Sequence, residues 1–305
     1  MSSVGAPWLD PIPIGKSAEP PFVRLADAKA LFAARVARFV ALSEGHPLAP
    51  YLRLLAALSD IQHRVGDGLA EPAMPTQDVS GRAHEFAMPP LDRTGFTADA
   101  TFEATLDRLF ALARELDMPG PARAALMRAT DAGAPARDCM VRAVLADCIP
   151  VDALADHLFV AAALQVHFAR RAARLDASRL LAVGDGACPA CGAPPVSSII
   201  AGWPGAENTR FCACSLCSTL WNYVRVKCTL CGSTKGITYR ELDGSSGHVS
   251  AEACDSCRRY VKILDQQKDP ALDPVADDVA NLALDLKVGE LGYRRGGINP
   301  FMIGY

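Results

Sequence analysis

Between positions 188 and 257 the chain carries four C-x-x-C pairs: Cys188/Cys191, Cys214/Cys217, Cys228/Cys231 and Cys254/Cys257. Twenty-two residues separate the first pair from the second, 22 again separate the third from the fourth, and ten lie between the two sets. One unit, C-x2-C-x22-C-x2-C, is therefore present twice in tandem. A C-x-x-C turn lets two thiolates reach one ion while backbone N–H groups point back at the sulfurs. Gly192 and Gly232, each directly after a second cysteine, tolerate the tight backbone this needs. Two such turns supply four sulfurs and a closed tetrahedral site. The intervening 22 residues suffice for a small β-hairpin that returns one turn to the other.

Pairing in order follows from the repeat: Cys188, Cys191, Cys214 and Cys217 around one ion, Cys228, Cys231, Cys254 and Cys257 around another. A cross-braced arrangement, first pair with third, is the alternative. All-sulfur tetrahedral sites accept zinc and iron alike, so spacing does not choose between them. A closed four-thiolate site leaves no position for substrate, and its default role is to fasten a small, loop-rich domain. Thioredoxin-like use of the pairs lacks its βαβ context here.

The start of the chain, "MSSVGAPWLDPIPIGK", has no basic segment followed by a long apolar stretch, so a secretory signal is not expected. The longest apolar run, "LFVAAAL" at 158–164, falls well short of the ~20 residues that span a bilayer and reads as a buried helix segment. No membrane insertion and a cytoplasmic setting are expected. There, clustered cysteines more often bind metal than form disulfides. A formal net charge of −3 gives no reason to expect a polyanionic partner.

The 305 residues suggest about two domains. Residues 1–21, rich in Pro, Gly and Ser, read as an irregular arm. From 22 to 182 the pattern is helical and Ala- and Arg-rich. Leu25, Phe32, Val36, Phe39 and Val40 make one stripe; Leu48, Leu52, Leu55, Leu58, Ile61 and Val65 make the next. Residues 66–97 read as a connector. Phe102, Leu106, Leu109, Ala113 and Leu116 mark a further helix, with others near 121–131, 136–148 and 151–176, and Pro121 is well placed at a helix start. This predicts an all-α bundle of about six helices. After "VGDG" at 183–186 short β-prone runs replace helical periodicity: Val196–Ile200, Trp221–Val226, Ile237–Leu242 and Tyr260–Leu264. Residues 183–268 thus form the tandem metal modules, 188–217 and 228–257. Residues 269–305 add a helix with Val275, Val279, Leu282 and Leu286, then a tail. The fold class is α+β.

Cys139 and Cys148 lie in helical patterns and read as small buried hydrophobes; Cys212, two residues before Cys214, reads as a packing residue, with exchange for a ligand as the alternative. His157 and His167 read as core residues beside no metal. No nucleophile elbow, phosphate loop or dinucleotide fingerprint is present, so no catalytic residue is assigned and the chain is not expected to be an enzyme. Arg210, Trp221, Tyr223, Arg225, Lys227, Arg258, Arg259 and Tyr260 would suit nucleic acid. Eight thiolates around two divalent ions, however, add about four negative charges, and Glu207, Glu241, Asp243, Glu252 and Asp255 add more. A nucleic-acid partner is therefore not expected.

The segments "CPACGAPPVSSII", "FCACSLCSTLWNYVRVKCTLC", "AEACDSCRRYVKIL" and "KDPALDPVADDVANLALDLKVGELGYRRGGINPF" resemble the FdhE-type formate dehydrogenase accessory proteins. "RVARFVALSEGHPLAPYLRLLAAL" at 35–58 is similar to that family's N-terminal helical region, while 66–180 matches weakly in detail. The resemblance implies a cytoplasmic assembly factor that binds the catalytic subunit of a respiratory formate dehydrogenase before export, and rubredoxin-like cysteine turns holding iron. Two other roles remain open: an electron-transfer or redox-sensing protein, and a nucleic-acid-binding zinc ribbon. Last, Tyr293, Arg294, Arg295 and Phe301 in "YRRGGINPFMIGY" have the composition of a partner-binding edge; the competing expectation is that this tail packs across the two domains. The sequence leaves the oligomeric state open.

Overall fold

The computed structural model describes residues 19–302; most of the arm expected at 1–21 lies outside the described residues. A two-residue strand, β1 (Val23–Arg24), leads into seven helices: α1 (Leu31–Ser43), α2 (Ala49–Val65), α3 (Gln77–Glu85), α4 (Ala100–Ala113), α5 (Gly120–Asp131), α6 (Ala134–Leu145) and α7 (Leu154–Ala172). Local chemistry sets their starts. The Asp99 carboxylate accepts from the Phe102 amide at 2.7 Å to open α4, and prolines occupy the first turn of α2, α5 and α6. Helix α3 lies inside the expected connector. Only Ala83 of its nine residues is buried, so no apolar stripe announces it.

Helix α7 is buried on nearly every side and forms the axis on which α4, α5 and α6 pack. By length and composition it passes for a membrane span, yet most of it lies inside the bundle. In α1 the buried face is Phe32, Arg35, Phe39 and Ser43, and Val40 is half exposed. The stripe read from the sequence is thus displaced, because Arg35 turns inward to reach Asp273 at 3.2 Å.

Six further strands follow: β2 (Pro195–Ile200), β3 (Arg210–Cys214), β4 (Leu220–Asn222), β5 (Ile237–Arg240), β6 (Val249–Cys254) and β7 (Arg259–Asp265). Each cysteine module is a three-stranded antiparallel meander, β2–β3–β4 and β5–β6–β7. A parallel pairing of β2 with β7, with Ser198 opposite Ile263 and Ile200 opposite Asp265, joins the two meanders into one sheet. Its order is β1-β4-β3-β2-β7-β6-β5.

The expected C-terminal helix is two short ones, α8 (Ala276–Ala280) and α9 (Leu282–Glu290), broken at Asn281. A final strand, β8 (Arg294–Arg295), lies parallel to the start of β7. Ile298 then donates its amide to the Pro195 carbonyl at 3.0 Å, so the tail runs along the seam between the meanders.

Two cores result. One gathers the helices with the first cysteine set, Val275, Val279 and Phe301. The other lies between the sheet and α9 and includes Phe211, Tyr260, Leu264, Leu284 and Val288. Charged pairs tie α1 to the residues before and within α8. Arg38 grips Asp277 through two bonds of 2.6 and 2.8 Å and also reaches Asp269 at 2.9 Å. Planar two-point contacts of this kind fix orientation as well as distance.

Candidate metal centres

The four turns share one backbone design. In the first and third, Gly192 and Gly232 donate to the carbonyls of Cys188 and Cys228 at 2.8 and 3.0 Å, with φ of +75° and +71°. The second and fourth use the same left-handed position without glycine: Ser218 at φ +58° and Arg258 at φ +55°. The repeat extends upstream too. Gly186, two residues before Cys188, has φ +72°, and Val226, two residues before Cys228, has φ +59°. A β-branched residue there carries strain that glycine would not.

This backbone brings the sulfurs together in order, the cysteines of β3 and β6 returning to the turns that precede β2 and β5. Within each set all four Sγ atoms lie within 4.8 Å of one another. Cys188 to Cys217 is 3.7 Å and Cys191 to Cys214 is 3.5 Å; Cys228 to Cys257 and Cys231 to Cys254 are both 3.8 Å. A tetrahedron with metal–sulfur bonds of about 2.3 Å has edges of about 3.8 Å, whereas a disulfide needs about 2.05 Å. The donor geometry fits one tetrahedral ion per set and excludes the cross-braced arrangement.

Backbone amides point at the sulfurs: Leu216 and Cys217 toward Cys214 Sγ at 3.4 and 3.3 Å, and Leu230 toward Cys228 Sγ at 3.4 Å. Thr219 Oγ1 lies 3.1 Å from Cys217 Sγ. Such contacts orient ligands and offset thiolate charge. Burial first, and then the neighbouring sulfurs of the set, push the Cys188 and Cys191 thiols well above their ordinary value, and burial likewise raises Cys228. A bound cation is the partner that makes four deprotonated sulfurs tolerable in such a place. No coordination position is left for a substrate, so the arrangement can hold an ion and, were it iron, pass one electron.

Cys212 is buried beside Ser198, its Sγ 3.7 Å from the hydroxyl; burial raises its thiol to about 11, and it belongs to neither set. Cys139 and Cys148, expected inside, are exposed. Only Val141 and Leu145 of α6 are buried, so Cys139 falls on the outer face, and Cys148 follows the helix end. His157 and His167 are core residues. His167 is fully buried against Phe96, Phe102 and Phe168.

The residues that would suit nucleic acid are largely spent on the fold. Arg210 is buried in a two-point pair with Glu252 at 2.9 Å, Trp221 and Tyr260 are buried, and Lys227 and Arg258 pair with Asp185 and Asp255.

Of the four tail residues singled out in the sequence, Tyr293, Arg295 and Phe301 are turned into the protein and Arg294 is exposed. Arg295 joins a buried set that the sequence reading missed. It reaches Asp278 and, at 2.7 Å, Asp285; Lys262 reaches Asp285 at 2.5 Å and Asp278 at 3.3 Å. Two cations thus face two carboxylates, with Tyr260 and Asn299 donating to Asp285 and Asp278 at 2.7 and 2.8 Å. For these three residues packing across the domains replaces the expected binding edge. The missed arginine–aspartate seam did leave a sequence signal: Asp269, Asp273 and Asp277 recur every four residues, opposite Arg35 and Arg38.

Three family models match in succession: "FdhE, N-terminal" over residues 20–185, "FdhE, central domain" over 187–225 and "FdhE, C-terminal domain" over 226–302. The chain is 45% identical over 298 residues to the Protein FdhE homolog of Rhizobium meliloti (strain 1021), covering 97% of each. It is 33% identical over 279 residues to the Protein FdhE of Escherichia coli O9:H4 (strain HS), covering 90% of this chain and 88% of that one. The crystal structure of the FdhE protein from Pseudomonas aeruginosa superposes with a TM-score of 0.83 at 31% identity, over 93% of this chain and 99% of that one. Matched by these models from residue 20 to residue 302 and over 93% of its length in fold, the chain belongs to the FdhE family of formate dehydrogenase accessory proteins.

Proposed function

We propose that this protein acts in the cytoplasm as a maturation factor that binds the catalytic subunit of a formate dehydrogenase before export, and that each four-cysteine set holds one ion. The observation that carries the reading is family membership along the whole chain, through three consecutive FdhE segments. Iron is the ion the resemblance implies, and the same sulfurs accept zinc. The protein assists the dehydrogenase and is not itself the catalyst. Its helices and sheet share a core and charged seams, which supports one continuous surface offered to the client. Among the four tail residues singled out in the sequence, Arg294 is the one left exposed to such a partner.

The test is an affinity pull-down of the tagged chain from its own host under anaerobic respiratory growth, with partners identified by mass spectrometry. The expected result is a formate dehydrogenase catalytic subunit, lost when cysteines of both sets are changed. Recovery of ribosomal or other nucleic-acid-binding proteins alone would overturn the reading.

A further inference from the structure

The two cysteine sets share spacing and turn geometry but not surroundings. In the first set all four cysteines are buried. The loop after α3 covers it: Leu91 and Arg93 donate amides to the carbonyls of Ala190 and Cys191 at 2.9 and 3.1 Å, and Pro89 lies against Gly192. Helix α7 closes the other side, with Gln165 donating to the Ser215 carbonyl at 2.9 Å. In the second set Cys228 and Cys254 are buried, Cys257 is half-buried and Cys231 is exposed. At its last turn Asp255 and Ser256 are both exposed, although Tyr293, just after α9, donates to the Asp255 carboxylate at 2.5 Å.

We infer that the second set is an exchange centre, at which a thiol-bearing partner replaces Cys231 on the bound ion, while the first set stays closed. The inference rests on the proposal that both sets hold an ion. Substitution at a four-thiolate ion begins with a nucleophile approaching an uncovered edge, and Cys231 marks that edge. The incoming thiol's sulfur forms one metal–sulfur bond, the bond to Cys231 Sγ breaks, and the thiol's proton passes to the Cys231 sulfur. No oxidation state changes. Cys228 and Cys254, both buried, would retain the ion during the exchange. The first set has no comparable edge, and its ligands become reachable only when α7 and the loop over Gly192 open locally, a rarer event.

The experiment uses the full chain loaded with zinc, treated with N-ethylmaleimide, and followed by mass spectrometry of each cysteine alongside zinc release to a chromophoric chelator. Cys139 and Cys148, both exposed, give the unprotected rate. Cys231 should react next, followed by Cys257, Cys254 and Cys228 with release of one equivalent of zinc. All four should precede any cysteine of the first set by about tenfold or more in rate. A Cys231→Ser chain should lose the fast phase of zinc release and keep the slow one. Parallel modification of both sets, or earlier modification of the first, overturns this inference and leaves the metal reading standing. A chain that takes up no zinc at either set overturns both.

Discussion

The hydroxyl of Tyr51 donates a 2.6 Å hydrogen bond to the carbonyl oxygen of Phe301, so a side chain of α2 closes on a turn 250 residues further along. Removing that hydroxyl with Tyr51→Phe should cost about 1 kcal/mol. Deleting 293–305 removes the buried Tyr293 and Phe301 and strips Arg295 from two buried carboxylates, so loss of soluble protein is expected. Soluble yield and urea unfolding check both, and a shortened chain with an unchanged midpoint would return the tail to the role of a surface attachment.

Lys262 lies buried between Asp278 and Asp285. Lys262→Met should destabilise by about 3–5 kcal/mol, because one arginine then faces two buried carboxylates. The double change Lys262→Met/Asp285→Leu should recover part of that loss, which a denaturation cycle measures. Simple additivity would show that the four charges do not act together.

Gly296 and Gly297 separate two kinds of crowding. A Cβ on Gly297 would stand 2.5 Å from the Val196 carbonyl oxygen, a backbone atom that cannot turn aside, whereas one on Gly296 would meet the movable end of Leu230. Gly297→Ala should lower stability by about 2 kcal/mol or more and Gly296→Ala by clearly less. Thermal midpoints of the two variants decide, and equal losses would contradict this picture of the seam.

Burial lowers His167 from 6.5 to about 4, Asp99 working against the shift and Arg171 and Arg170 adding to it. Its folded value lies below its unfolded one, so the unfolded chain binds the proton first. The stability from keeping this ring neutral is full above about pH 6.5 and is lost as pH falls toward 4, by up to about 3 kcal/mol. His167→Leu should flatten that part of the acid limb. Parallel stability–pH curves for the two proteins would refute the assignment.

Cys228→Ser should lower metal content by about one ion per chain and loosen the second meander, since binding and folding are coupled there. Elemental analysis reads the first effect and hydrogen exchange across β5–β7 the second. Unchanged stoichiometry would remove Cys228 from the ligand set.

The eight clustered cysteines and their order of pairing were legible because spacing alone constrains them, and the helix-to-strand change near 182 showed as a loss of apolar periodicity. Ser218 and Arg258 were not legible. The turn demands a left-handed backbone there, and glycine only lowers its cost, so other residues hide it. Strands β3 and β6, "RFCAC" and "VSAEAC", are too rich in alanine and cysteine to read as β-prone. Lys262, Asp278, Asp285 and Arg295 are polar in any pattern count and meet only once the sheet and tail are assembled. The exposure of Cys139 followed from how little of α6 is buried, which its sequence does not announce.

The parallel pairing of β2 with β7 also orders events in time. A ribosome that has delivered the chain through residue 225 has supplied β2, β3, β4 and the whole first sulfur set, yet one flank of β2 still lacks its neighbour. That flank is an open edge of the kind that recruits foreign strands, and it persists through synthesis of the second meander until β7 and then Ile298 arrive. Nascent chains stalled in that interval are exposed to aggregation, and the edge is sealed only by residues made long after the strand they protect.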